Sequence, residues 1–389
     1  MLYIRIYLVF IPFSCLIMRI LLNGLTQRPG GGMVVLQGLV SGIASASETD
    51  ELVVIAYDDD VYACLKDLGL SNVQVIQANK INALFDKLVV PYRVRATALK
   101  YKCDILITLN FHVPLLPIPQ VVYHVDLERF EHHSLLPLSL HNMLEKLRDR
   151  SAKRALIKAD ANVFESNFVH KTAEKHCKVT IQNPSVIYIG IDGTTVQNEN
   201  AITPVIDNGL IVVVTNPLIY KNNEAVVPIV AALASREPNV NWRIRLFGGK
   251  GIAVWCNLID LAEKAGIRDR FEFMGYRTRT ELNASLDVAV CQLNTSRLES
   301  FCMVALEAMA RGCPVIVSQD AAMPESVGDA GVILDPDNTL AIVDKISQLN
   351  SDKESHAELK NKAIMWASKH TWDRSGNAFY KLCYELRTS

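Results

Sequence analysis

The sequence predicts an α/β protein made of two Rossmann-like, doubly wound domains that face each other across a cleft. From Met18 onward, short apolar runs alternate with longer amphipathic stretches, the pattern of repeated βαβ units burying a parallel sheet between helices. A polar stretch rich in asparagine, with one proline, divides this series into two comparable halves. The length of 389 residues and the 50% hydrophobic content allow a large core and favour two domains over one.

MRILLNGL already reads as a complete first strand. Residues 1–17, MLYIRIYLVFIPFSCLI, are therefore expected to be a leader upstream of a true start at Met18. A signal sequence without an obvious small-residue cleavage site and a short interfacial anchor are the alternatives, and Arg5, Pro12 and Arg19 interrupt any full membrane span. The first domain, 18–195, is expected to hold strands at Ile20–Asn23, Leu52–Ala56, Val73–Ile76, Ile105–Leu109, Gln120–Tyr123, Ala161–Phe164 and Val186–Ile189. A linker follows over 196–208. The second domain, 209–371, starts at LIVVV, with strands expected at Leu210–Val214, Trp242–Phe247, Phe271–Met274, Val288–Val290, Val315–Val317 and Val332–Leu334. In open α/β sheets ligands bind outside the carboxyl ends of the strands, so two facing sheets define an inter-domain site.

Lys and Arg number 40 against 41 Asp and Glu, a net charge of −1. No global basic field argues for nucleic acid. Nine cysteines stand singly, without a C-x-x-C pair, which suits a reducing, cytoplasmic setting. Asp126, Glu128, His132 and His133 match no metal-site spacing, and Asp58, Asp59 and Asp60 read as a helix N-terminus, where acids are favoured.

The segment ESFCMVALEAMARGCP, Glu299–Pro314, places two carboxylates eight positions apart around the start of an otherwise apolar helix. Burial of Glu307 is costly unless something hydrogen-bonds to it. Treated as one helix, the segment puts Glu299 and Glu307 about 12 Å apart along the axis, with first-turn amides near Glu299. An elongated anionic ligand fits this pattern, its phosphate at the helix N-terminus and a polyol on either side. The plain alternative is a buried helix in which Glu307 pairs with Arg311 at i+4, with Gly312 ending the helix.

ESFCMVALEAMARGCPVIVS resembles the E-x7-E signature of retaining glycosyltransferases of family 4, which have the GT-B fold. The likeness continues through FEFMGYRTRTELNASLDVAV and AAMPESVGDAGVILDPD, covering Phe271 to Asp337. It implies transfer of a sugar from a nucleoside-diphosphate sugar to an acceptor hydroxyl with retained configuration, without metal or cofactor. It also implies a last helix, 372–389, that returns to the first domain. By the same resemblance Glu299 orients the donor sugar, Glu307 binds ribose hydroxyls, and the amides of Phe301, Cys302, Met303 and Val304 contact sugar and phosphate. Cys302 stands where family members usually have glycine, and by its setting is a packing residue rather than a nucleophile.

Lys221, in NPLIYKN after the first strand of the second domain, is the expected diphosphate contact, a compact cation suited to a leaving group that gains charge. Asn216 occupies a place where many family members have an arginine. Gly31 and Gly32, with Gly30, allow close backbone approach to the sugar and diphosphate. His124, at the end of an apolar run, is the expected donor-sugar contact, with His112 or a structurally bonded histidine as alternatives. Gly275, Tyr276 and Arg277 are expected in the nucleotide-base wall or in a plain strand-end turn.

The acceptor is expected to be a glycan or a lipid-linked hydroxyl. The basic stretch Lys146, Arg148, Arg150, Lys153, Arg154 and Lys158 is either a solvated face or a peripheral contact with anionic lipid at the inner face of the membrane. Another nucleotide-sugar activity on the same fold, such as an epimerase or phosphorylase, and a nucleotide-sugar-binding subunit with little activity are the competing functions.

Overall fold

The computed structural model describes residues 17–27, 30–79, 83–125, 150–181, 184–193, 196 and 205–388, with 83–88 as backbone alone. The leader 1–16, most of the expected linker, and Asp126, Glu128, His132, His133, Lys146 and Arg148 lie outside the described residues.

Two parallel sheets form the framework. The first has the order β3-β2-β1-β4-β5-β6-β7, from β1 (Arg19–Asn23), β2 (Glu51–Ala56), β3 (Val73–Gln77), β4 (Ile105–Leu109), β5 (Gln120–His124), β6 (Ala161–Phe164) and β7 (Ser185–Val186). The second has the order β10-β9-β8-β11-β12-β13, from β8 (Leu210–Val214), β9 (Arg243–Phe247), β10 (Phe271–Gly275), β11 (Cys291–Asn294), β12 (Val315–Ser318) and β13 (Val332–Leu334). Central strands such as ILITL of β4 and VIVS of β12 are buried at every position, as expected of strands covered on both faces. In each sheet the strand order reverses beside the first strand, between β1 and β4 and between β8 and β11. These are the switch points where such folds open a crevice.

Two strands differ from expectation. The apolar run DVAV suggested a strand at Val288–Val290, but that stretch turns out of the preceding helix, Ala289 N donating to Leu286 O, and β11 begins at Cys291. Gln292 and Asn294 hid it, because they are polar residues in a fully buried strand. β7 covers only Ser185–Val186 rather than Val186–Ile189. Beyond it Ile191 pairs in an isolated bridge with Thr371.

The first helix, α1 (Gly31–Ala46), packs on the last, Trp372–Thr388. Glycines set that distance: a Cβ on Gly376 would stand 1.9 Å from the Gly42 carbonyl carbon, and one on Gly38 would fall 1.9 Å from the Trp372 indole. Among the described residues, no helix is long and apolar enough to cross a membrane.

Candidate functional site

The second sheet's switch point assembles the site. The loop after β8, Asn216 to Asn222, lies beside the loop after β11, Thr295 to Glu299, and backbone and hydroxyl groups join them. Arg297 N donates to Tyr220 O (2.7 Å), Thr295 Oγ1 to Asn222 O (2.9 Å) and Asn222 Nδ2 to Thr295 O (3.2 Å). Asn222 adopts the left-handed conformation, φ 51°, which asparagine tolerates better than most residues and which turns the chain between two short 3₁₀ segments. This turn sets Lys221 Nζ 2.7 Å from Glu299 Oε1, and both side chains are mostly buried. The 78-residue separation of the two residues is thus closed by adjacent strand ends.

Glu299 itself is not helical. The helix Met303–Ala310 begins four residues later, so a helical rise does not set its distance to Glu307. Its backbone is held instead by Ala322, whose N–H donates to Glu299 O at 3.2 Å. Phe301 is buried and stacks on Tyr188, centroids 5.3 Å apart. Cys302, at the N-cap, has φ 72° and ψ 57°, the left-handed region that glycine occupies without strain and that costs other L-residues about 1–2 kcal/mol. The glycine usual at this place in the resembled family has this geometric reason. Burial, and then the neighbouring Glu299, push the Cys302 thiol far up, so it stays protonated, in line with a packing role. The amides of Met303 and Val304 lie in the first helical turn, where no carbonyl four residues back within the helix can accept them.

Glu307 does not pair with Arg311. Arg311 binds Asp287 through Nε and Nη2, at 2.8 and 2.6 Å. Glu307 Oε1 takes Arg279 Nη1 at 2.7 Å, from the helix Arg279–Leu286. The Glu307 side chain is 15% exposed and that of Arg279 46%. Burial raises the Glu307 pKa above the ordinary carboxylate range, and Arg279 opposes the shift.

Asn216 Oδ1 accepts from the Tyr276 hydroxyl at 3.2 Å, so the β8 loop and the turn after β10 form one wall. Gly275, φ 67°, makes that turn, and its carbonyl accepts Gly248 N–H at 2.9 Å. Tyr276 is 64% exposed, and Arg277 leans toward Glu281, 3.9 Å away. Gly31 and Gly32 open α1, where a Cβ on Gly31 would meet nothing within 4 Å and one on Gly32 would meet the Gln27 side chain.

His124 ends β5 and is buried. Asn162 Nδ2 donates to Leu156 O, which leaves Oδ1 as the acceptor for His124 Nε2 at 2.9 Å, and the ring stacks on Phe164. The structure thus brings together Lys221 with Glu299, and Asn216 with Tyr276. Glu307 is held separately by Arg279, and His124 is held in the first sheet by Asn162 and Phe164. Asp58 caps the helix Asp59–Lys66, its carboxylate accepting from Asp60 N and Val61 N.

Sequence reasoning missed several residues around the site. Arg279 lies 28 positions from its partner, and no helical spacing signals it. Arg297 binds Asp320 at 3.1 Å and also Asp337, tying the β11 loop to the loops after β12 and β13. Asn294 Nδ2 reaches Cys302 Sγ at 3.1 Å. Glu325 contacts the first domain at Asn167 and Phe168.

Comparison with known proteins adds a partial family match to this geometry. Residues 201–366 match the family model described as "Glycosyl transferases group 1". The D-inositol 3-phosphate glycosyltransferase of Corynebacterium glutamicum (strain R) is 31% identical over 157 residues, 39% of this chain and 38% of that protein. The N-acetyl-alpha-D-glucosaminyl L-malate synthase of Bacillus anthracis is 31% identical over 147 residues, 37% of each chain. The chain thus spans little more than a third of the length of the curated relatives it matches. Among solved structures, sucrose-phosphate synthase from Thermosynechococcus elongatus superposes with a TM-score of 0.75 at 17% identity, covering 95% of this chain and 99% of that one. Anabaena Alr3699/HepE in complex with UDP and glucose gives 0.71 at 18%, covering 95% and 99%. The chain has the GT-B fold, and its second sheet with the surrounding helices forms a region that matches glycosyl transferases group 1.

Proposed function

We propose that the protein is a retaining glycosyltransferase of the family-4 type, which transfers a sugar from a nucleoside-diphosphate sugar to an acceptor hydroxyl in glycan or polysaccharide synthesis. The observation that carries this reading is the Lys221–Glu299 pair at the switch point, set beside the open amides of a helix N-terminus. A lysine there offers its charge to a diphosphate as the bond to the sugar breaks, and the helix end favours the same anion. Glu299 holds that lysine in place. With donor bound, Glu299 orients sugar hydroxyls, and Glu307 accepts hydrogen bonds from the ribose. Gly31, Gly32 and His124 serve the sugar and diphosphate from the opposite wall, and Asn162 fixes the His124 ring.

Among the described residues no nucleophile with an adjacent base is assembled at this centre, and the thiol of Cys302 stays protonated. Departure of the diphosphate and attack by the acceptor on one face of the sugar fits this chemistry better than a covalent two-step route. The bound UDP and glucose named for the Anabaena structure support a nucleotide-sugar donor. The relatives' names add inositol 3-phosphate to the acceptors worth trying, beside glycan and lipid-linked hydroxyls. Cytoplasmic location and contact with anionic lipid belong to the same proposal, and flotation with and without anionic vesicles tests the latter.

The test is to incubate the full chain with uridine, guanosine and adenosine diphosphate sugars and the acceptor panel. Nucleoside diphosphate release and the anomeric configuration of the product are then followed. Acceptor-dependent release with a retained anomer supports the proposal, and an inverted anomer refutes retention. Nucleotide binding without turnover on any acceptor favours the second reading, a binding subunit. That reading draws on Asn216, which puts a neutral side chain bonded to Tyr276 where many resembled enzymes carry an arginine.

A further inference from the structure

Glu325 lies in the helix Met323–Val327, after β12 and outside the donor contacts described above. Its carboxylate reaches across to the first domain, to the start of the helix Asn167–Cys177. Oε1 accepts from Asn167 N at 2.7 Å and from Asn167 Nδ2 at 2.6 Å, and Oε2 accepts from Phe168 N at 3.2 Å. The Tyr188 hydroxyl accepts from the same Asn167 Nδ2 at 3.3 Å, and burial, then the nearby Glu325 carboxylate, pushes its pKa up to about 12. One anion in the second lobe thus satisfies two first-turn amides and sits at the positive end of an 11-residue helix in the first lobe.

A second link runs beside it. Ser166, the N-cap of that same helix, accepts from Val169 N at 3.1 Å and donates its Oγ hydrogen to Ser300 O at 2.7 Å. Ser300 directly follows Glu299. The same helix end is therefore fastened at Glu325 and at the backbone of the loop that carries Glu299. Tyr188, which hydrogen-bonds Asn167, also stacks on Phe301, two residues beyond Glu299.

We propose that Glu325 is a positioning residue: by capping the first lobe's helix across the cleft, it holds the lobes closed and lets Ser166 fix the Ser300 carbonyl, and through it Glu299. This rests on the glycosyltransferase reading for its kinetic consequence but not for its geometric one. Charge-assisted hydrogen bonds to backbone amides are the strong kind, and no other acidic side chain among the described residues is shown to bridge to this helix end.

The test uses the full chain as wild type, Glu325→Ala, Glu325→Gln, Asn167→Ala and the double variant Glu325→Ala/Asn167→Ala. In Glu325→Ala, kcat should fall roughly tenfold or more, the size of one lost charge-assisted hydrogen bond. The Kd for nucleoside diphosphate should change less than twofold, because Lys221 and Glu307 lie in the same lobe as Glu325 and are held there without the bridge. Glu325→Gln, which keeps acceptor oxygen but not charge, should recover part of the loss. The double variant should be no worse than Glu325→Ala, since both remove one bridge. Small-angle scattering should show a larger radius of gyration in Glu325→Ala without any substrate. That readout separates this inference from the activity reading: opened lobes in a chain that never turns over a nucleotide sugar would keep the bridge and remove the enzyme. Unchanged kcat and scattering in a folded Glu325→Ala protein, or additive losses in the double variant, would overturn the proposal.

Discussion

Replacing Glu307 by alanine separates a structural carboxylate from a ligand-binding one. Its counter-charge is Arg279, whose side chain is 46% exposed against 15% for Glu307. When Glu307 is removed, Arg279 returns to solvent and the burial that raises the Glu307 pKa is relieved. Folding stability should therefore change by no more than about 1 kcal/mol. If the carboxylate accepts two ribose hydroxyls, each such bond contributes about 1.5–3 kcal/mol, so the nucleoside diphosphate Kd should rise by roughly 100-fold or more.

Arg279→Ala does the opposite to the fold, because it leaves the buried carboxylate without its cation. A carboxyl whose folded pKa exceeds its unfolded one binds more protons when folded. The protein thus loses stability as pH rises from the ordinary 4.5 through the raised value, and loses more in Arg279→Ala. Calorimetric titration and thermal unfolding of both variants read these quantities. Glu307→Ala with wild-type nucleotide affinity, or with the 3–5 kcal/mol loss expected of a broken buried pair, would refute the reasoning.

Lys221→Ala should lower turnover about 10²–10³-fold with a milder effect on donor KM, and Lys221→Arg should recover part of it, as measured by nucleoside diphosphate release. Gly376→Ala places a methyl group against the Gly42 backbone, and the forced separation of first and last helices should cost about 1–3 kcal/mol in denaturant unfolding; a neutral result would mean the helix pair is loosely packed. His370 is buried against Trp366, and burial lowers its pKa, with nearby Arg374 and Lys369 acting the same way. Because the unfolded chain then binds the extra proton, stability should fall as pH drops below about 6.5 toward the lowered value, and His370→Phe should flatten that slope.

The strands of both sheets were legible because parallel strands covered on both faces are continuous apolar runs, as in LIVVV of β8 and ILITL of β4. β11 was displaced for the converse reason: CQLN buries two amides, so polarity hid a central strand while the turn DVAV imitated one. At the site, Glu299, Glu307 and Lys221 stood out as charges in apolar or loop settings, and the pairing of Lys221 with Glu299 follows from adjacent strand ends that no sequence spacing encodes. Sequence spacing offered Arg311 to Glu307, but Asp287 captures Arg311 with two bonds and leaves Glu307 to Arg279. The left-handed φ of Cys302 was likewise invisible, although the glycine usual at that position in the resembled family hinted at it. Glu325 stood in the run AAMPESVGDAGVILDPD without a role of its own, and its reach to Asn167, 158 positions away, depends on how the lobes meet.

A crystal structure of the full chain with a nucleoside-diphosphate sugar bound tests the central claim most directly. The account predicts the diphosphate at the N-terminus of the helix Met303–Ala310 within hydrogen-bond reach of Lys221, the ribose hydroxyls on Glu307 and the sugar against Glu299. A nucleotide bound elsewhere, with Lys221 still on Glu299 and Glu307 still closed by Arg279, would contradict it.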